Sequence, residues 1–206
     1  MDEISVYLID DHAVMRHGLA SLLGTQRGIR VVGDAGDAPS GIRAVMSLKP
    51  DVVIMDLMMP EMDGVEATRR LKELRPETKV LILTTSTSAD GIGHALEAGA
   101  SGAIVKTTEL PEFLSAIRTA AAGGRVISPE IEQVMADDPP VPELTPRQAD
   151  VLASVTRGFS NEDIARQLGL SIGTVKEYLN ATFAKIGASN RAEAVAIALR
   201  KHLLKI

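Results

Sequence analysis

The chain has 206 residues, a net charge of −5, 45% hydrophobic and 24% charged residues, ordinary proportions for one large or two small globular domains. It has no cysteine, which excludes disulfides and cysteine-ligated zinc or iron–sulfur centres and fits a reducing cytosol, and no apolar run nears the roughly 20 residues that span a bilayer. The charge is uneven: from Glu143 onward nine basic residues face six acidic ones, a net +3 that leaves −8 for residues 1–142, so one part of the chain is suited to a polyanion and the other is not.

Met1-Asp2-Glu3 is acidic, unlike a signal peptide, and a cytoplasmic protein without a membrane partner is expected. It leads into a strand, Ile4-Ser5-Val6-Tyr7-Leu8-Ile9, that ends in Asp10-Asp11. Met15, Leu19, Leu22 and Leu23 recur at helical spacing. Arg30-Val31-Val32-Gly33 reads as a second, shorter strand, and Asp37-Ala38-Pro39 opens a helix with proline in its first turn. Val52-Val53-Ile54-Met55-Asp56 is an apolar run of the kind buried on both faces of a parallel sheet. A helix near Val65–Leu74 follows, closed off by Pro76. Lys79-Val80-Leu81-Ile82-Leu83 is a fourth strand ending in Thr84-Thr85, and a helix over about 89–98 stops at Gly99. Ala103-Ile104-Val105 is a short fifth strand ending in Lys106, before a helix with Leu110, Phe113, Leu114 and Ile117 on one face. Strand and helix alternate five times, which argues an α/β domain with a parallel sheet wrapped by helices on both sides.

Asp10, Asp11, Asp56, Thr84 and Lys106 all fall at carboxyl ends of strands, where open α/β sheets place their chemistry. In a five-stranded doubly wound sheet of order 2-1-3-4-5, strands one and three are neighbours, and three carboxylates converge. Such a cluster repels itself unless a cation shares it. A hard divalent ion such as Mg²⁺ suits these oxygens, with Met58 offering its backbone carbonyl, and no His or Cys ligand set competes for it. A carboxylate there can attack phosphorus and form an aspartyl-phosphate, with Lys106 pairing one phosphoryl oxygen and Thr84 hydrogen-bonding another. Singly, each residue has a blander reading: Asp56 starts a turn, Asp10-Asp11 cap a helix, Lys106 is a solvated charge. Their joint placement is what argues for a site.

Residues 3–122 resemble the receiver domain of bacterial two-component response regulators. The resemblance rests on Asp10-Asp11, Asp56 with Met59-Pro60 and Asp63-Gly64, Thr84, and Gly99-Ala100-Ser101-Gly102 leading to Lys106. It implies a flavodoxin-like fold, Mg²⁺-dependent phosphoryl transfer from a sensor histidine kinase onto Asp56, and a shift at the fourth helix when Thr84 turns toward the phosphate. Two positions depart. The aromatic switch residue often found on strand five is Ala103 here, whose methyl cannot swing as a ring does; DNA binding without phosphorylation is therefore the alternative reading. Thr107 stands where many receivers have proline.

Gly123-Gly124 breaks the last helix of this half, Pro129 to Glu132 start a short extra helix, and 136–143 is acidic with three prolines, a semi-stiff linker. The expected division is a receiver over 1–124, a linker over 125–143 and a small all-α domain over 144–206. In the last, Thr145, Pro146 and Gln148 combine three helix-start signals. Ser160 with Asp163, Ser171, and Asn190 with Glu193 start three more helices, and Gly169-Leu170-Ser171 forms a tight turn between two of them. Helix, short glycine turn and helix is the helix-turn-helix pattern. On the helix over about 172–186, Ile172, Val175, Leu179, Thr182 and Ile186 share a stripe expected to be buried. Gly173, Lys176, Glu177, Asn180 and Ala184 point away, and a face so small and polar suits a major groove. There Lys176 meets guanine or phosphate, Asn180 adenine, Thr174 and Ser171 phosphate, with Arg191 adding charge nearby. The blander reading is a four-helix module with a solvated face.

From Leu144 to Leu199 the chain resembles the LuxR-type DNA-binding domain of NarL/FixJ regulators. The residues are Leu144-Thr145-Pro146-Arg147, Val151-Leu152, Gly158, Ser160-Asn161, Ile164-Ala165, Gly173-Thr174-Val175-Lys176, Lys185-Ile186-Gly187 and Asn190-Arg191-Ala192-Glu193-Ala194. The resemblance implies a transcription factor, not an enzyme, that binds operator DNA as a homodimer formed on activation, often through the last helix. Here that helix is apolar beyond one stripe, with Ala194, Val195, Ile197, Ala198 and Leu199. Three positions differ from the pattern: Tyr178 sits where His is common, Asn180 where a basic residue often lies, and Glu177 on the reading face repels phosphate unless it accepts from a cytosine amino group.

Overall fold

The strand Val52–Asp56 is buried along its whole length, as a run of branched apolar residues in the middle of a parallel sheet must be. In the computed structural model, which describes residues 3–85, 89–201 and 203–204, it is β3, flanked in chain order by β1 (Ile4–Ile9) and β2 (Ile29–Ala35), then β4 (Lys79–Thr84), β5 (Gly102–Val105) and β6 (Val126–Ile127). All pairings are parallel, in the order β2-β1-β3-β4-β5-β6. The expected five-strand order is there, extended by one short strand.

Side chains alternate across the sheet with the period of two that a pleated strand dictates. Tyr7, Ile9, Val53, Met55, Val80 and Ile82 face one cluster, which α2 (Ala38–Leu48), α3 (Gly64–Leu74) and α4 (Ala89–Glu97) cover with Ile42, Val45, Leu71 and Ile92. Val6, Leu8, Val52, Ile54, Leu81 and Leu83 face the other, covered by α1 (Ala13–Gly24) and α5 (Leu110–Ala121) with Leu23, Phe113, Leu114 and Ile117. Local chemistry sets helix starts: the Asp37 carboxylate accepts from the Ser40 N–H and Asp63 from that of Glu66, each satisfying a donor that the first turn leaves open.

The stretch expected as a linker is folded for most of its length. The Val126 and Ser128 N–H groups donate to the carbonyls of Ser101 and Ala103 at 3.1 and 3.0 Å, which makes β6. Next comes α6 (Pro129–Asp137), whose Ile131 is 1% exposed in the same cluster as Ala103 and Ile92. Beyond it, Pro140 lies so close to α4 that a Cβ on Gly93 would stand 2.5 Å from the proline Cβ. The first compact unit therefore runs to Pro140, because Val126, Ile127 and Ile131 supply apolar anchors that outweigh the polar composition around them.

The second unit, from Val141, consists of α7 (Pro146–Thr156), α8 (Asn161–Leu168), α9 (Ile172–Ile186) and α10 (Arg191–Arg200). All four predicted caps are made: Thr145 with Gln148 and Ser160 with Asp163 as capping boxes, Ser171 to the Thr174 N–H, and Asn190 to the Glu193 N–H. Gly169 ends α8 in the left-handed region at φ 65°, which turns the chain sharply into α9. Among the described residues no helix is long and apolar enough to cross a membrane.

Candidate functional site

The sheet register brings the strand ends together. Ile9 pairs with Met55, Asp56 with Leu83, and Thr84 with Val105, so Asp10, Asp56, Thr84 and Lys106 come out at one end of the sheet. Lys106 Nζ donates to Asp10 Oδ2 at 2.7 Å and to Asp56 Oδ2 at 2.8 Å. The three side chains are 5%, 6% and 3% exposed. Burial by itself pulls the Lys106 ammonium toward deprotonation, but the hydrogen bonds and charges of Asp10 and Asp56 outweigh it and hold its pKa above the ordinary lysine value. Thr84 is fully buried, and its carbonyl accepts from the Lys106 N–H at 2.8 Å. The Met58 N–H donates to Asp56 Oδ1 at 3.3 Å, which draws the main chain of Met58 against the carboxylate.

Two further residues belong here. His12 corrects the expectation that no histidine competes for the cluster: its Nδ1 lies 2.8 Å from Asp11 Oδ1, 3.4 Å from Asp10 Oδ1 and 3.8 Å from Asp56 Oδ2. His12 is also the N-cap of α1, so Asp10 and Asp11 do not cap that helix; Asp10 Oδ1 instead accepts the His12 N–H at 2.8 Å. Arg16, one turn on, donates to the Asp10 carbonyl at 2.7 Å and to the Asp34 carboxylate at 2.5 Å, fixing the loop from which Asp10 projects. A His directly after paired aspartates is visible in the sequence; Arg16 has no local signal. Gly64 backs the site from α3: a Cβ there would stand 2.4 Å from the Asp56 carbonyl oxygen, so the Asp63-Gly64 pair is a demand of packing.

The Lys106 ammonium is shared by Asp10 and Asp56, and Asp11 adds a third carboxylate beside them, which leaves the cluster electronegative. Asp11 Oδ1 is shielded from solvent and has no hydrogen-bond partner among the described residues, although His12 Nδ1 is near. One donor atom from each of Asp10, Asp11, His12 and Asp56 fits within 4.8 Å of the others. An orphaned carboxylate oxygen amid oxygen donors is what a divalent cation satisfies; the residues fit one. Beside the cluster lies a groove of about 530 Å³ lined mainly by Val14, Met15, Leu19 and Leu22, together with His12 and Lys106.

In the second unit, α9 buries Val175, Leu179, Thr182 and Ile186. Ile172 departs from that stripe: it is 42% exposed, because the cluster that encloses Val175 and Leu179 does not extend to the first turn. Gly173, Lys176, Glu177, Asn180 and Ala184 are exposed as expected. Ser171 Oγ lies 2.9 Å from Thr174 Oγ1 while it caps α9. Arg191 donates to the Phe159 carbonyl, which ties the start of α10 to the turn before α8.

Residues 6–118 match the response regulator receiver domain family and residues 142–198 match the bacterial regulatory proteins of the luxR family. The transcriptional regulatory protein LiaR of Bacillus subtilis is 35% identical over 98% of this chain and 99% of its own. The crystal structure of ChrA, the response regulator of a heme-sensing two-component system, is similar with a TM-score of 0.59 and 35% identity, over 99% of this chain and all of that one. RcsB of Salmonella enterica serovar Typhimurium, solved bound to a promoter in the presence of the phosphomimetic BeF₃⁻, shares the fold at 23% identity with a TM-score of 0.68, over 95% of this chain and 98% of that one. A receiver match over more than half the sequence, and a relative alike along nearly all of it, place this chain in the NarL/FixJ family of two-component response regulators, a receiver domain joined to a LuxR-type helix-turn-helix domain.

Proposed function

We propose that this protein takes a phosphoryl group onto Asp56 from a sensor histidine kinase, forms a homodimer in that state, and binds operator DNA through α9 to regulate transcription in the cytosol. The observation that carries the proposal is Lys106 Nζ held between Asp10 and Asp56 at 2.7 and 2.8 Å. Asp10, Asp11, Asp56 and the main-chain carbonyl of Met58 would hold Mg²⁺, which when bound offsets negative charge on the phosphoryl oxygens. An Asp56 carboxylate oxygen forms the new O–P bond as the P–N bond of the kinase's phosphohistidine breaks, and the departing imidazole takes a proton from solvent. Lys106 pairs with one phosphoryl oxygen and the Thr84 hydroxyl donates to another. On α9, Lys176, Asn180 and Glu177 face base edges and Thr174, with its N-cap Ser171, lies toward phosphates, while Arg191 at the start of α10 adds charge nearby. The protein acts as a switch rather than an enzyme: the largely aliphatic walls of the groove give a large substrate little to be recognised by.

Incubation with a small phosphodonor and Mg²⁺ should label the wild type and leave Asp56→Ala unlabelled. No label on a folded wild type refutes the proposal. A second reading, DNA binding that ignores phosphorylation, is favoured by Ala103, which is fully buried in one cluster with Ile131. Equal operator affinity with and without beryllofluoride would establish it.

A further inference from the structure

The first helix of the receiver opens on a residue that does not cap it. Elsewhere Asp37, Asp63, Thr145, Ser160, Ser171 and Asn190 occupy N-caps and turn their side chains onto the helix N–H groups. His12 of α1, like Glu109 of α5 and Ser128 of α6, holds an N-cap without doing so; its Nδ1 is turned to the carboxylates instead. The spacing there is that of ligands. Two donors each about 2.1 Å from one ion stand about 3.0 Å apart when adjacent and about 4.2 Å when opposite. His12 Nδ1 is 2.8, 3.4 and 3.8 Å from oxygens of Asp11, Asp10 and Asp56. The pair at 2.8 Å makes no hydrogen bond, since Asp11 Oδ1 has no partner. One donor atom from each of Asp10, Asp11, His12 and Asp56 lies within 4.8 Å of the others, close enough to meet around a single cation.

We infer that His12 Nδ1 is a metal ligand, and that this nitrogen donor biases the phosphoacceptor site toward first-row transition cations over Mg²⁺. Imidazole adds much to the binding of Co²⁺, Ni²⁺ or Zn²⁺ and little to that of Mg²⁺, which prefers oxygen and keeps its waters. The inference rests on the proposed function for the carboxylate part of the site; only the nitrogen is new. His12 is 69% exposed at its side chain, so replacing it leaves the core intact.

The test is calorimetric titration of the full chain with CoCl₂ and with MgCl₂, for wild type, His12→Asn and the double variant Asp10→Asn/Asp11→Asn. His12→Asn should weaken Co²⁺ binding roughly tenfold or more while Mg²⁺ stays within about twofold. The double variant should lose both, which distinguishes this site from His17, His94 and His202. Proton NMR of the Co²⁺ form should show a hyperfine-shifted imidazole resonance that is missing in His12→Asn. Equal Co²⁺ affinity in wild type and His12→Asn, an equal fall for both ions, or Co²⁺ binding that survives in the double variant overturns the inference. Mg²⁺ binding that is retained with no Co²⁺ preference overturns it alone, whereas a wild type that binds neither ion overturns the proposed function as well.

Discussion

Replacing Lys106 by methionine removes the charge between Asp10 and Asp56 but keeps a straight apolar chain of similar length. The two carboxylates are each less than a tenth exposed and would then face one another without their shared donor. Breaking a buried pair by deleting one partner costs about 3–5 kcal/mol, because the charge left behind is uncompensated. A domain of this size has about 5–15 kcal/mol in total, and 1 kcal/mol moves its midpoint by about 3–4 °C. The receiver transition, followed by circular dichroism at pH 8 in EDTA, should therefore fall by roughly 10–15 °C. MgCl₂ should recover part of the loss, and more than it adds to the wild type, since no ammonium competes for those oxygens. Alkaline pH gives the sign. The Lys106 pKa is raised in the folded state, so its contribution is complete below the ordinary lysine value of 10.5 and disappears as pH rises through the higher folded value. The gap between wild type and variant should hold from neutral pH to that point and close above it. A variant melting within about 2 °C of wild type in EDTA would refute the reasoning, because a solvated lysine has an effect of that size.

Ile131→Ala deletes three buried carbons, worth about 2–2.5 kcal/mol at about 0.8 each, and Ile131 is the only fully buried residue of α6. Amide exchange in 129–137 should accelerate roughly 50-fold while β3 stays protected; unchanged exchange would mean that α6 is held by something else. Gly93→Val places a side chain where Pro140 sits, and limited proteolysis over 136–143 should speed up. On DNA, Lys176→Ala should weaken binding at all sequences and reduce the salt slope by about one if it meets phosphate. Asn180→Ala should cost about 1–3 kcal/mol and relax specificity at a single base position, and competition with mutated operators separates the two.

The candidate site residues are legible in the sequence because a parallel strand buried on both faces has little choice of residue until its end, where Asp56 and Thr84 close β3 and β4 and Lys106 directly follows β5. The caps are legible for a different reason: Thr145, Ser160, Ser171 and Asn190 bond within three residues, so chain order determines the partner. His12 is harder to read, since its role depends on the rotation of one side chain toward Asp56, 44 residues away. Arg16 is hidden likewise, its acceptors being a carbonyl on one loop and a carboxylate on β2. Periodicity misleads at Ile172, where the stripe continues past the neighbours that would cover it. It fails at 126–127, where a strand of two residues has no period, whereas the short helix expected from Pro129 is present and runs to Asp137.

A parallel sheet that stopped at β5 would present open amides and carbonyls on its outer border, a template on which a foreign strand can nucleate. Val126 and Ser128 close that border by donating to Ser101 and Ala103, and the added strand is itself too brief to recruit another chain. Residues that look dispensable from their composition thus cover one of the sheet's two borders, the other being β2, and a truncation ending at residue 124 would bare it.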